Sequence, residues 1–427
     1  MFKILYNGIG EKPCQEEQNM LYNYFTEELL NLQEVLVKKI EKIENITRVY
    51  IEMPVIEHTC PECGEKTKYI HDYRCRTIKD LPSFEQNVII IYRQRRYVCH
   101  NCRKRFAENN TFVPKYYQMT RRLINKIFNE TEKICSFSSI GEKFNISVST
   151  VIRIFDNISY TAPKELPEVI AIDEFKGNTG TEKYQTIITD PKTGVVLDIL
   201  PDRKQNHLIQ YLKQYSREER DKVKFFVSDM WKQYRELAEV FFKNATYLVD
   251  KYHYVRQIIW AFERTRKRIQ KKYSKHYRLM FKNSKRILTK RKSKLKEDQR
   301  MQVEALLYVS DELRTAYHLK EAFYELLDCK DKQTAKNMMK DWIYNAQASG
   351  ISDYDTCSNT LINWQKGILN TFDYPYSNGF TEGCNNRIKV LKRNAYGYRN
   401  FDRFRKRILH IFSYQKQKNT NTEKEVA

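Results

Sequence analysis

Four cysteines stand in two Cys-x-x-Cys pairs, Cys60 with Cys63 and Cys99 with Cys102. Paired thiolates at that spacing supply the tetrahedral set that one Zn²⁺ takes, and the 35 residues between the pairs are enough for a hairpin that joins two knuckles. His58, His71, Cys75 and His100 lie nearby and could substitute for one ligand, but the doubled Cys-x-x-Cys makes them supporting or incidental by default. Cys14, Cys135, Cys329, Cys357 and Cys384 are scattered and read as ordinary residues. A second chemistry rests on carboxylates. Asp173 ends the apolar run Val169-Ile-Ala-Ile172, and Asp229 ends Phe225-Phe-Val-Ser228. Acids at the ends of adjacent buried strands can hold two Mg²⁺ (or Mn²⁺) ions about 3.5 to 4 Å apart, a pair able to activate water against a phosphodiester. Such a site needs a third carboxylate. Glu382 is the best candidate, a lone acid in a helical segment otherwise filled with Asn, Arg and Lys, although a helix N-terminus alone would also welcome it. Glu174, Asp190, Asp198 and Asp250 compete; Asp190 is better explained by the turn it opens, while Asp250 with His253 forms an accessory pair able to position water, metal or phosphate.

Polyanion-binding signals surround these groups. Residues 138–155 read as a short helix, a turn and a second helix capped by Ser147. Ile140, Phe144, Ile146, Val151, Ile152 and Phe155 are spaced to pack, which turns Ser149, Thr150 and Arg153 outward, where a helix in a major groove would read bases. A plain helical hairpin has the same pattern. From Arg264 to Arg300 there are 17 Lys or Arg against 2 acids, so this stretch alone carries +15 of the net charge. Lys267, Arg268, Lys271 and Lys272 there, and Lys389, Lys392 and Arg393 after the glutamate, are expected to track phosphates.

The elements that must position these groups follow from hydrophobic period and turn chemistry. Residues 1–57 are ambiguous: Leu29, Leu32, Leu36, Ile40 and Ile43 keep a helical spacing, yet Arg48-Val-Tyr-Ile51 alternates like a strand. A zinc-binding module is expected over 58–115 and a helix-turn-helix over 116–160. Two prolines within 160–167 mark the main boundary. Beyond it, three short β-branched runs predict an antiparallel meander, and the strand-helix-strand alternation to residue 250 predicts parallel pairing, hence an α/β core over 165–255. Residues 256–370 read as a basic helical insertion, 371–415 as closing helices that carry Glu382, and 416–427 as a tail.

Composition narrows the function classes. The chain of 427 residues has 76 Lys and Arg against 53 Asp and Glu, a net charge of +23, which favours nucleic acid as partner. A mean hydropathy of −0.71, with no long apolar run, predicts no membrane span. The N-terminus lacks a signal-peptide core, and ten cysteines are too few for a disulfide framework, so a cytoplasmic, nucleoid-associated protein is expected. No Walker loop, Gly-x-Gly-x-x-Gly or nucleophile elbow is present, which argues against an ATP-driven motor or a nicotinamide enzyme.

Cys-Pro-Glu-Cys-Gly at 60–64, Asp-Leu-Pro at 80–82, Arg95-Arg-Tyr-Val-Cys, Ala171-Ile-Asp-Glu-Phe, Asp229-Met-Trp, Asp250-Lys-Tyr-His, Glu382-Gly-Cys-Asn-Asn-Arg-Ile-Lys and the closing Lys-Arg-Asn-Ala-Tyr-Gly-Tyr-Arg-Asn occur in that order. Together they resemble bacterial insertion-sequence transposases of the ISL-three family. The resemblance implies a zinc-binding N-terminal region, a helix-turn-helix, and a ribonuclease-H-like catalytic domain of the DDE type interrupted by a helical insertion. It implies Asp173, Asp229 and Glu382 as the metal-binding triad, with DNA ends and target DNA as partners and a homo-oligomer, a dimer, in the DNA complex. The implied reaction is cleavage and strand transfer of DNA; a zinc and helix-turn-helix regulator, or a nuclease without strand joining, are the rival classes.

Overall fold

The computed structural model describes residues 35–83, 85–180 and 182–426, with the side chains of 414–426 left out. It divides into two compact units, residues 1–158 and 159–427.

The first unit is a twisted sheet followed by helices. β1 (Leu36–Ile43) and β2 (Ile46–Glu52) form a hairpin, and β2 runs parallel to the long β6 (Asn87–Val98), which pairs antiparallel with β5 (Ile70–Lys79) and β7 (Arg105–Ala107). A short pair, β3 (His58–Thr59) and β4 (Lys66–Thr67), carries the first cysteine knuckle. Leu36, Ile40 and Ile43 therefore lie on a strand despite their helical spacing, because cross-strand packing on β2 outweighs a local period; Leu29 and Leu32 fall outside the described residues. Val37, Val49, Ile51, Ile78, Ile90 and Tyr92 form the core of this sheet. Three helices follow: α1 (Arg121–Glu130), α2 (Phe137–Lys143) and α3 (Val148–Asp156).

The second unit is a five-stranded mixed sheet in the order β10-β9-β8-β11-β12. The chain enters at β8 (Val169–Phe175), turns back along β9 (Gln185–Asp190) and β10 (Val195–Leu200), then crosses through α4 (Gln205–Lys213) and α5 (Arg217–Asp221) to β11 (Phe225–Ser228). α6 (Lys232–Phe241) leads to β12 (Thr246–Val249), and β8, β11 and β12 are mutually parallel. Asp190 makes the β9–β10 turn: its Oδ1 accepts from the Lys192 and Thr193 amides, and Gly194 takes φ +67°. Seven helices follow, α7 (Lys251–Lys271), α8 (Lys275–Asn283), α9 (Lys285–Thr289), α10 (Glu297–Tyr308), α11 (Asp311–Leu326), α12 (Lys332–Ala348) and α13 (Ser352–Asn370), around a core that includes Phe262, Phe281, Phe323, Trp342 and Tyr354. α14 (Gly379–Asn394) then returns against β8 and β9, and α15 (Phe401–Val426) packs on β10, where Arg405 grips Asp198 at 2.6 and 2.9 Å. The backbone stays helical to Val426 where a tail is expected beyond 415.

Candidate catalytic centre and zinc site

The two cysteine knuckles are built alike. The Gly64 amide donates to the Cys60 carbonyl and the Cys60 amide to that of Glu65; the Arg103 amide donates to Cys99 and the Cys99 amide to Lys104. Gly64 and Arg103, each following a second cysteine, both adopt left-handed φ of +77° and +61°. These matched turns aim four sulfurs at one point: Cys60 lies 3.5 Å from Cys102, Cys63 3.5 Å from Cys99, and all four ligand atoms fall within 4.8 Å of one another. A closed four-sulfur set of this kind fits structural zinc. His58 and His100 are held instead by aromatic contacts with Tyr97 and Tyr69, and Cys75 is exposed on β5 outside the cluster.

In the second unit, strand order does the positioning. Ala171 pairs with Val227, and Val227 with Leu248. Asp173 lies two residues past Ala171 on β8, and Asp229 and Asp250 directly follow β11 and β12, so the three acids stand towards the C-terminal ends of three adjacent parallel strands. Asp173 accepts from its neighbour's amide, Glu174 N, and from Asn385 Nδ2 on α14, both at 2.8 Å. Burial, with Asp229, Glu174 and Asp250 adding like charge, pushes its carboxyl up to about 7. Asp229 is raised to about 6, by burial first and then by the charges of Glu174 and Asp250.

Glu382 comes from the first turn of α14 to Asp250 and His253, a cluster that does not include Asp173 or Asp229. Thr381, Cys384, Ile388 and Leu391 are the buried stripe of that helix, and Thr381 Oγ1 meets Thr189 Oγ1 at 2.8 Å. The adjoining face carries Glu382 and Asn385. Asn378 pins the helix start, its amide donating to Asp250 Oδ1 at 3.1 Å and its side chain to the Ile172 carbonyl at 3.4 Å. Glu382, Asp250 and His253 bring ligand atoms within 4.8 Å of one another. Burial, then the charge of Asp250, raises the Glu382 carboxyl. Asp250 is thus the acid whose field bears on Asp173, Asp229 and Glu382 alike, a more central place than the accessory one expected of it.

Of the competing acids, Asp190 holds its turn and Asp198 holds Arg405, while Glu174 pairs with Arg203 at 2.7 Å yet stays close enough for its charge to act on Asp173 and Asp229. Arg256, on the first turns of α7, escaped notice in the sequence. Its charge lowers both Asp229 and Glu382, and its guanidinium lies 4.5 Å from the Trp260 ring centre and 3.4 Å from His253 Nδ1. The signal was present as the third residue beyond His253 on one helix face. Asp229 Oδ1 and Asp250 Oδ2 are buried and accept no hydrogen bond from the protein, with His253 Nε2 4.0 Å from Asp250 Oδ2. Carboxylate oxygens left without a hydrogen bond amid like charge are the donor set that hard divalent cations take, so these residues fit such ions.

The basic groups divide. Ser149 and Arg153 are exposed on α3 and Thr150 is half-buried; Ser147 caps the helix, Gly141 allows the close approach of the Ile146 carbonyl, and Arg153 lies 5.0 Å from the Tyr117 ring centre. Ile154 is buried there, whereas Ile146 and Ile152 are only half-buried. Lys267 and Lys271 are exposed on α7. Arg268 instead pairs with Glu312 and Asp353, and Lys272 with Glu312, so part of the basic run holds the helical region together. Tyr273 and Phe281 pack on each other, and Tyr273 donates to the Val309 carbonyl. Lys389 and Arg393 are exposed on α14, while Lys392 donates to the Lys176 carbonyl at 2.7 Å.

Residues 56–102 match the zinc-finger of transposases IS204, IS1001, IS1096 and IS1165, and residues 170–408 match the DDE transposase family of the ISL3 type. The transposase for insertion sequence element IS1001 of Bordetella parapertussis is 26% identical over 397 residues, covering 90% of this chain and 97% of that protein. An ATP-dependent protease of Lactococcus lactis subsp. lactis is 36% identical over 107 residues, 25% of this chain and 33% of that protein. With a match that spans both the strand-end carboxylates and the helix bearing Glu382, the chain belongs to the ISL3 family of DDE transposases.

Proposed function

We propose that the protein binds the ends of an insertion sequence and carries out metal-dependent cleavage and strand transfer of DNA, with Asp173, Asp229 and Glu382 as the catalytic carboxylates. The observation that carries this reading is the gathering of Asp173, Asp229 and Asp250 at the C-terminal ends of adjacent parallel strands, with Glu382 delivered beside Asp250 by a helix pinned to the same strands. The strand order, with one antiparallel meander and two parallel crossovers, supports a ribonuclease-H-like catalytic domain interrupted by the helices α7 to α13. The trio α1 to α3 supports a helix-turn-helix with α3 as the reading helix.

Asp173, Asp229 and Glu382 would hold two Mg²⁺ or Mn²⁺ ions, with Asp250 beside them. When bound, such ions supply positive charge next to the scissile phosphate and lower the pKa of water. The chain's own groups do the rest. Asn385 and the Glu174 amide fix the rotamer of Asp173, so its carboxylate is in place before DNA arrives. Arg256 offsets part of the negative charge around Asp229 and Glu382, and it stands where a phosphate would need a cation. Burial keeps His253 below its usual pKa, leaving a neutral imidazole to accept a proton near Asp250. The zinc knuckles and the outer face of α3 select the ends, and exposed lysines such as Lys267, Lys271 and Lys389 track their phosphates. Two copies of the chain would pair two ends in the nucleoid of the bacterial cytoplasm.

The test is a strand-transfer assay with a pre-cut terminal-repeat duplex and a target plasmid. Wild-type protein joins the two in Mg²⁺, while Asp173→Ala binds the duplex without nicking or joining. Nicking without joining would leave a nuclease; binding with neither reaction in the wild type would leave a regulator.

A further inference from the structure

The closing motif Ala395-Tyr-Gly-Tyr-Arg-Asn400 treats its two tyrosines in opposite ways. Tyr398 is buried and stacks on Phe404 with ring centres 4.7 Å apart. Tyr396 is 99% exposed, the most open of the exposed large hydrophobic residues. Its backbone is the odder feature. The Tyr396 amide donates to the Arg393 carbonyl and the Gly397 amide to that of Lys392, the paired bonds that end a helix through one left-handed residue. That residue is Tyr396, at φ +53°, a place ordinarily held by Gly or Asn because an aromatic Cβ is strained there. Folding gains nothing from a bulky ring in this position, since the ring touches water.

The turn beneath it is rigid. Gly180 donates to the Arg399 carbonyl at 3.2 Å, Lys392 donates to Lys176, and Tyr398 anchors the chain in the core. Of the eight Lys or Arg in residues 389–407, Lys389, Arg393 and Arg399 are exposed, whereas Lys392 and Arg405 are bonded within the fold and Arg407 is buried. An aromatic ring presented to solvent from a hydrogen-bonded turn, near exposed cations, can stack on a nucleic-acid base. The ring also sits just past the C-terminal end of the helix that carries Glu382, fourteen residues after that acid. At 1.5 Å per residue that is about 21 Å along the axis. At 3.4 Å per base pair it corresponds to about six base pairs.

We propose that α14 lies along the duplex of the element end and that Tyr396 stacks on a base turned out of the helical stack, about six base pairs from the phosphate that is cut. This rests on the strand-cleavage reading above. α14 then acts as a ruler, with the carboxylate at one end and a base-gripping ring at the other.

The experiment uses the full-length protein and duplexes carrying the inverted repeat that borders its gene, with 2-aminopurine placed singly at positions three to nine from the cleavage point. Binding is measured without divalent metal, so no reaction is required for a signal. Wild-type protein is expected to change the probe's fluorescence most near the sixth position. Tyr396→Ala and Tyr396→Gly should lose that change and bind about tenfold more weakly, a loss typical of one base–aromatic stack. Tyr396→Phe and Tyr396→Trp should keep both, and Tyr396→Gly should melt no lower than wild type, since glycine relieves the backbone. A Tyr396→Ala profile equal to wild type, a Tyr396→Phe protein as defective as Tyr396→Ala, or a maximum within two positions of the break overturns the proposal. If the wild type shows the fluorescence change yet never cleaves in Mg²⁺, the cleavage reading fails while the stacking stands.

Discussion

At the scale of single residues, the centre holds more negative charge than it can stabilise unaided. Asp173 and Asp229 have ordinary carboxyl values near 3.8, and burial with mutual repulsion lifts them to about 7 and about 6. The folded protein therefore keeps protons that the unfolded chain has already released. Metal-free stability falls as pH rises from about 4, where the unfolded carboxyls ionise, through 6 to 7, where the folded ones do. Asp229→Asn removes one of these charges without changing shape. It should raise the melting temperature of EDTA-treated protein at pH 8, by on the order of 2 kcal/mol of stability, while abolishing DNA nicking. Calorimetry at pH 5 and pH 8 checks it: the gain should shrink at pH 5, where the wild-type carboxyl is protonated. Mg²⁺ should likewise stabilise the wild type more at pH 8 than at pH 5, because bound cations compete with protons for the same oxygens. An Asp250→Asn substitution should weaken that Mg²⁺ effect, since Asp250 bears on all three partners, and its conserved shape keeps the bond from the Asn378 amide.

At the scale of elements, the cysteine knuckles depend on an ion in place of a core. β3, β4 and β7 are two or three residues long, too short to stand alone. Metal analysis should find one zinc per chain in the wild type and none in Cys63→Ser, which should also expose residues 58–107 to proteolysis, leaving fragments of the second unit intact on a gel. His58→Ala should retain the zinc, because His58 packs on Tyr97 outside the cluster. In the helical trio, a Cβ added at Gly141 would sit 2.8 Å from the Ile146 carbonyl, which is backbone and cannot step aside. Gly141→Ala should cost roughly 1 to 3 kcal/mol of stability by thermal or urea melting, the usual range for overpacking. Arg153→Ala should leave the fold unchanged, and weaken binding to end DNA over random DNA by about 1 to 3 kcal/mol if α3 reads a base through it.

At the scale of the whole molecule, a charge of +23 sets the terms of DNA binding, but not every cation is free to contribute. Arg264 pairs with Asp353 at 2.8 Å and Arg291 with Asp328 at 3.0 Å, while Lys267 and Lys271 are exposed without such pairing. Lys267→Glu and Lys271→Glu should each lower the slope of log affinity against log salt by about 0.9 if they face phosphates. Arg264→Ala should leave that slope nearly unchanged and lower the melting temperature slightly. Among the described residues no helix is long and apolar enough to cross a membrane.

Much of the site was legible in the chain itself. Cys60, Cys63, Cys99 and Cys102 declare themselves because a two-residue gap is a local geometric device, and Asp173 and Asp229 stand out because an acid at the end of a buried run conflicts with its surroundings. The meander and crossovers followed from β-branched runs and a proline-marked boundary for the same local reason. What only tertiary structure decided is which distant groups share a space. That Asp250 stands at the same end of the sheet as Asp173 and Asp229 follows from the order of three parallel strands. Arg256 near the carboxylates, Arg268 tied to Glu312, and strand β1 in place of a helical period are likewise consequences of chain closure over tens or hundreds of residues. Local sequence dictates which groups can do chemistry; long-range packing, whose hydrophobic energy does not depend on separation along the chain, dictates which of them meet.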